Sequence, residues 1–208
     1  MFVVPYAHSD YEPNQGVYPG MTPPPSLESR FPDLDCALPV YVVVSAHPSP
    51  DAPDPRPRPW ALAWPLALAN NLVPALLVAP PSASSPTPDF APIAVPVPVP
   101  ARSTRIAAVA RVLQAARAPA RDHFTFWGAL TRAWTREDMH GARWVLLALL
   151  DRPHRRALEH LADNVRLMKP NGWWNGQNWV VALLNAAVED GIVSYAQRDA
   201  ALVAAASI

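Results

Sequence analysis

The chain has 208 residues with 17 basic and 17 acidic side chains, so its formal net charge is zero. This length suits one domain of ordinary size, or a smaller domain with a long tail. The single cysteine, Cys36, excludes an intramolecular disulfide and a cysteine-based zinc site. The first residues lack the basic start and the long apolar run of a secretory signal, so we expect a cytoplasmic or nuclear protein.

Proline and charge both divide the chain near residue 101. Of the 27 prolines, 24 lie in residues 1–100, where they remove backbone donors and disfavour long helices and central strands. Residues 1–100 carry three Arg against eight acids, net −5, and residues 101–208 carry 14 basic against nine acidic residues, net +5. We therefore expect the two halves to attract each other, or the basic half to bind an anionic partner.

The N-terminal half is predicted to be largely irregular. Residues 1–33 show no periodicity and are predicted to form a disordered tail. Residues 34–100 are predicted to be a proline-rich segment that packs partly on the rest of the protein. The best strand signal of the chain is the β-branched run Val40–Val44. Polyproline stretches are ligands for SH3 and WW modules, although the basic flank is not placed as an SH3 ligand needs.

One uncharged stretch, residues 60–79, is long enough to span a bilayer. Pro65 and Pro74 interrupt it, and Asn70 lies in its middle. Such residues are tolerated in a membrane helix only where neighbouring helices satisfy the freed groups. The chain offers no second span, so we expect this stretch to be a buried apolar segment and the membrane not to be a partner.

Residues 101–208 are predicted to form an α-helical domain of five or six helices. With at most one or two short strands before it, the chain is predicted to be mainly α. An apolar stripe supports the first helix, Asp122 and Asp151 are predicted N-caps, and the segment after Arg143 is apolar all round, as in a central helix. The first four predicted helices lie in residues 103–117, 123–134, 139–150 and 154–168.

Capping signals mark further helix ends. Thr135 with Asp138, and Ser194 with Gln197, have the spacing of capping boxes. Gly191 is expected to end the helix that precedes Ser194, because glycine adopts the left-handed conformation that a helix C-terminus requires. These signals place helix starts after Thr135 and after Ser194.

A tryptophan- and asparagine-rich turn, residues 171–179, has two interpretations. In the first it joins two helices: Asn175 caps the second helix, and Trp174 and Trp179 have the spacing of a hydrophobic staple. We favour this interpretation, because leaving two indole rings in water would cost about 10 kcal/mol. In the second it is a small enzyme site or a carbohydrate site. The side chains of that candidate pocket are Trp173, Asn175, Asn178, His160 and Asp163.

Arginine dominates the basic half. Between Arg102 and Arg166 there are twelve Arg against six acids. Cations at a helix N-terminus oppose the helix dipole, so a cluster there suggests an anionic partner. A solvated face and codon bias are the simpler explanations. The candidate anion or partner contacts are Arg102, Arg105, Arg111, Arg117, Arg152, Arg155 and Arg156.

These observations predict a non-enzymatic regulatory or protein-interaction protein that uses an Arg-rich helical face and its Pro-rich segments. Another protein is the expected partner, and the oligomeric state is left open. The first alternative is a nucleic-acid-associated factor, such as a transcription or developmental regulator. The second is the small enzyme or carbohydrate binder at the tryptophan turn. We assign no catalytic, metal or cofactor residue; His154 and His160, six residues apart, lack zinc-helix spacing.

Overall fold

A computed structural model describes residues 10–45, 58–68, 77–78, 106–117 and 122–207. Within these ranges the chain forms eight strands and four α-helices. The strands are β1 Leu38–Val44, β2 Trp60–Leu68, β3 Leu77–Val78, β4 Ile106–Leu113, β5 Ala115–Arg117, β6 Phe124–Phe126, β7 Leu130–Thr135 and β8 Arg143–Leu150. The helices are α1 Arg136–Gly141, α2 Arg152–Asn164, α3 Gly176–Glu189 and α4 Tyr195–Ala206.

The centre of the molecule is a five-stranded antiparallel sheet in the order β8-β1-β2-β4-β7. The two-residue strand β3 extends it by pairing in parallel with the start of β8. A separate pair of short strands, β5 and β6, lies beside it. Strands β1 and β2, which precede residue 101, lie between β8 and β4, which follow it, so the proline-rich half supplies part of the centre of the sheet.

The prediction of a mainly α chain is wrong, because the described residues form a mixed fold. The described part of the first predicted helix (residues 103–117), from residue 106 onward, forms β4 and β5, and the second, residues 123–134, forms β6 and most of β7. Most of the third, residues 139–150, is β8. Seven of the eight β4 residues are buried, so the strand shows no alternation of apolar and polar side chains. A strand covered on both faces has the same continuous apolar pattern as a buried helix.

Four of the predicted helix starts are correct, but the predicted N-cap Asp122 is wrong, because strand β6 follows it. Capping boxes form at Thr135, Asn175 and Ser194, which begin α1, α3 and α4. The Asp151 side chain accepts a hydrogen bond from the His154 N–H and begins α2. Gly191 follows α3 with a φ of +71°. Each of these caps involves only a few residues that are close together in the sequence, so the sequence alone can predict it.

The main core lies on one face of the sheet, between the strands and the helices α2, α3 and α4. Trp64 of β2 and Trp179 of α3 are its largest apolar side chains that are fully buried. The ring of Trp179 packs against Phe126 with centroids 4.9 Å apart. Burial of each such ring contributes several kcal/mol, so α3 is fixed on the sheet mainly by apolar packing.

The other face of the sheet is concave. Trp134 of β7 and Trp144 of β8 lie on opposite edge strands of the five-stranded antiparallel sheet. In a flat sheet these two edge strands would be about 19 Å apart. Their rings nevertheless meet, with centroids 5.0 Å apart. The sheet therefore curls strongly around this pair. Small side chains such as Ala61, Ala63 and Ala110 form the floor beneath the rings.

Residues 10–36, hereafter the N-terminal strap, lie against the folded body. Glu12 N–H donates to the Leu167 carbonyl at 2.8 Å, and Lys169 N–H donates to the Asp10 carbonyl at 2.8 Å. The Leu27 N–H donates to the Thr131 carbonyl of β7, also at 2.8 Å. The sequence predicted disorder for residues 1–33; from residue 10 onward the strap runs over the fold, and residues 1–9 lie outside the described ranges.

Across the described ranges, no helix has the length and apolarity needed to cross a membrane. Residues 60–68, the first part of the uncharged stretch 60–79, form strand β2. Its Pro65 lies beside an irregularity in the pairing with β4, as expected for a residue without an N–H.

Candidate functional site

The arginines that we predicted to contact a partner do not form one exposed face. Arg111 and Arg155 are buried. Arg117 is exposed and its guanidinium lies 5.1 Å from the Phe124 ring centroid. Arg156 is exposed and donates to Glu159 at 3.2 Å, and Arg152 is half-buried. The remaining two, Arg102 and Arg105, lie outside the described residues.

Arg155 of α2 is fully buried and holds the end of the N-terminal strap. Its Nη2 lies 2.9 Å from Asp33 Oδ1, which also accepts a hydrogen bond from Trp64 Nε1 at 3.0 Å. The guanidinium further donates to three backbone carbonyls, at 2.6 to 2.8 Å. The charge of Arg155 is therefore paired inside the protein. The three acceptors are the carbonyls of Leu34, Cys36 and Leu150.

Arg111 of β4 holds the middle of the strap. Its Nη1 lies 2.8 Å from Glu28 Oε2, and its Nε donates to Glu159 Oε1 at 2.8 Å. The hydrogen bond from Arg111 lowers the pKa of Glu28 below its ordinary value. Burial opposes the charge of Arg111, but its bonds to Glu28 and Glu159 outweigh this and raise its pKa. The acidic half and the basic half therefore meet in these two ion-pair clusters.

The tryptophan turn connects α2 to α3. Trp179 is fully buried and its Nε1 donates to the Val165 carbonyl at 3.2 Å. Trp174 is half-buried against Phe124, with ring centroids 5.2 Å apart, whereas Trp173 is 54% exposed. One indole is therefore buried, the second is half-buried against Phe124, and the third is open to solvent.

The other members of the candidate pocket serve the backbone or lie on the surface. Asn175 and Asn178 form the capping box of α3, and the amide of each is used there. His160 is exposed. The Asp163 carbonyl accepts a hydrogen bond from the Gln15 side chain at 2.7 Å. None of these residues lines either of the two cavities described next.

Two small cavities open between the described elements. One, of about 200 Å³, lies on the concave face, and its polar lining includes Ser45, Gln114, Arg132 and Asp138. Asp138 Oδ2 already accepts the capping bonds of α1 there. The other, of about 260 Å³, lies where α4 ends near Trp60. Both are below the usual volume of a ligand pocket.

No group of three His, Cys, Asp or Glu side chains in the described ranges is arranged to hold a metal ion. The exposed His154 ring contacts the Asp151 carboxylate at 2.6 Å, within the cap of α2. The hydrogen bond from the His154 N–H lowers the pKa of Asp151, and the ring contact adds to this effect. This pair stabilises the helix start.

The two edges of the main sheet differ in whether their outward backbone groups are bonded. At the β7 edge, Thr131 is bonded by the strap on both of its backbone groups: its carbonyl accepts from Leu27 N–H at 2.8 Å, and its N–H donates to Ser26 Oγ at 3.3 Å. At the β8 edge, β3 pairs only with Trp144 and Val145. Among the described residues, nothing pairs with the outer side of β8 beyond Val145.

The backbone of Leu149 faces this open edge. Its partner in β1 is Pro39, which has no N–H. A hydrogen-bonded antiparallel pair exchanges two N–H···O bonds, so this pair is of the other kind, in which both residues direct their backbone groups away from each other. The Leu149 side chain is also 60% exposed. One residue thus presents an N–H, a C=O and an apolar side chain together.

The sequence pattern does not reveal this edge. The run Trp144–Leu150 contains no charged residue, which was interpreted as a central helix. The available signal was Pro39 beside a β-branched run, since proline in a strand indicates an interruption of the hydrogen-bond ladder.

Comparison with protein-family models, with curated proteins and with solved structures finds no match to this chain.

Proposed function

We propose that this protein is a non-enzymatic interaction protein that binds an extended segment of a partner protein along the open edge of β8. The observation that carries the proposal is Leu149, whose backbone groups point out of the sheet and whose side chain is exposed. A free strand edge is a template for an added strand, because its N–H and C=O groups need partners.

The chemistry of the edge defines the segment that fits it. From Trp144 to Leu150 the strand carries no charge, so an apolar or β-branched segment suits it better than a charged one. Natural sheets usually protect an edge with lysine, proline or a covering loop. The β7 edge has such a cover in the strap, and the β8 edge has none beyond Val145 among the described residues.

The short strand β3 supports the use of this edge. Leu77 and Val78 add to β8 in parallel, which shows that the outer side of β8 accepts an apolar strand. Pro80 and Pro81 come after Ala79 in the sequence, and neither has an N–H to donate. We propose that the partner's segment pairs with the outer side of β8 beyond Val145, where no described residue pairs.

A proline substitution at Leu149 tests this proposal in the full chain. Leu149→Pro removes an N–H to which no described residue bonds, so we expect the protein to stay folded, as edge prolines allow. The probe is a set of apolar peptides of about 5–10 residues, the length of a strand, selected by phage display on the wild-type protein. We expect Leu149→Pro to weaken their binding about tenfold or more, or about 1.4 kcal/mol.

The matched control is Ala133→Pro on β7, which likewise removes an outward N–H but from the opposite edge. Ala133 is exposed and two residues from Thr131, so its N–H also points outward. This variant should bind the peptides as the wild type does. Hydrogen exchange should show the Leu149 amide becoming protected when peptide binds. Equal binding by the wild type and Leu149→Pro, or no protection at Leu149, would contradict the proposal.

A further inference from the structure

We infer that the strap carries a second docking site, the tripeptide Pro23–Pro25, for a partner whose groove is lined by aromatic rings. This site is separate from the β8 edge and extends the proposed function to another class of partner. It rests on three features of the strap: its backbone conformation, the anchoring of its two ends, and its exposure.

Sterics set the conformation of this segment. Each proline fixes its own φ near −65°, and each residue that precedes a proline is excluded from the helical region. Thr22, Pro23 and Pro24 all precede a proline. The segment therefore holds a polyproline II conformation, the left-handed extended helix that aromatic grooves recognise.

Both ends of the segment are attached to the fold. On one side, the Met21 N–H donates to the Tyr18 carbonyl at 3.1 Å, and the Tyr18 ring packs on His123 of the folded body with ring centroids 4.9 Å apart. On the other, the Leu27 N–H donates to the Thr131 carbonyl of β7 at 2.8 Å, and Ser26 Oγ accepts from the Thr131 N–H. A segment that is ordered before binding loses less conformational entropy when a partner takes it.

The middle of the segment faces solvent. Every residue from Thr22 to Ser26 is exposed, so the proline rings and the backbone carbonyls are accessible. Stacked aromatic side chains bind such rings, and Trp or Tyr donors in the same groove bind the carbonyls. Among the described residues no other run of three prolines occurs.

A binding experiment with a matched control tests the inference. The full-length protein is titrated by calorimetry with a panel of isolated SH3, WW and EVH1 domains, which all read polyproline II segments. The test variant changes Pro23, Pro24 and Pro25 to Ala, and the control variant changes three other prolines to Ala. The control positions are Pro96, Pro98 and Pro100.

We expect at least one domain to bind the wild type and the control variant with similar affinity, and to bind the test variant about tenfold more weakly, or worse. Urea unfolding of each variant shows whether the strap still packs. If the test variant is less stable, the single change Pro24→Ala repeats the comparison. Three results would overturn the inference: no domain binds, the test variant binds like the wild type, or the control variant loses binding to the same extent.

Discussion

Replacing Arg155 by leucine removes the charge that fastens the end of the strap to α2. Arg155 and Asp33 are each fully buried, and their side chains approach to 2.9 Å. The replacement leaves the Asp33 carboxylate in the interior without its cation. It also leaves three backbone carbonyls without the guanidinium that they accept from.

The expected cost follows from these lost contacts. Breaking a buried ion pair by removing one partner costs about 3–5 kcal/mol, because the other charge stays buried and uncompensated. That is a large part of the total stability of a domain, about 5–15 kcal/mol. We therefore expect Arg155→Leu to lower the free energy of unfolding by about 3 kcal/mol or more, and to release the strap.

Urea unfolding, followed by tryptophan fluorescence, measures this cost. Asp33→Asn should cost less, since its amide oxygen can still accept from Arg155, and the double variant should cost less than the sum of the singles. Arg156→Ala is the surface control: its pair with Glu159 is largely exposed on the Arg side, so we expect about 0–1 kcal/mol. An Arg155→Leu variant no less stable than Arg156→Ala would refute the reasoning.

Two more substitutions test how the strap is held. Because Arg111 lowers the pKa of Glu28, the stability from this pair is present above the unfolded pKa, about 4.3, and is lost as pH falls through the lowered folded value. At neutral pH, the free energy of unfolding in urea should be higher for the wild type than for Glu28→Gln by less than about 1 kcal/mol, since Glu28 is half exposed. In strong acid the two proteins should be equally stable. A stability difference that does not change with pH would contradict this prediction. Gly16→Ala should destabilise more than Gly20→Ala: both have positive φ, which costs about 1–2 kcal/mol, but only at Gly16 would the new Cβ clash with the Phe124 carbonyl. Equal unfolding free energies for the two glycine variants would show that this close approach is not needed.

The sequence predicted what is local and missed what depends on burial. Thr135, Asn175 and Ser194 begin helices because each cap satisfies its own helix end with its own side chain. The β4 segment was read as a helix because its apolar residues fall at helical spacing and alanine favours helices. Its alanines serve another purpose: Ala108 and Ala110 lie on the floor of the concave face, where a larger side chain would displace Trp134 or Trp144.

The arginine excess shows a second limit of sequence reasoning. Opposite charge on the two halves indicated attraction between them, and Glu28 with Arg111 and Asp33 with Arg155 form such pairs. No sequence pattern distinguished Arg111 and Arg155 from the exposed Arg117. Glu28 lies 83 residues before Arg111, and Asp33 lies 122 residues before Arg155, so neither partner is near in the sequence. Three-dimensional burial, which the sequence does not reveal, decides which charges are structural.

The packing of the strap supports the interaction site that we propose at β8. The strap satisfies the outer backbone groups of Thr131 on β7, and it is fixed there by two buried or half-buried ion-pair clusters. Its end then joins β1, the neighbour of β8, so the strap has no residues left to cover the opposite edge. Leu149 therefore keeps an outward N–H, an outward C=O and an exposed side chain, and an extended segment that supplies the missing strand satisfies all three at once.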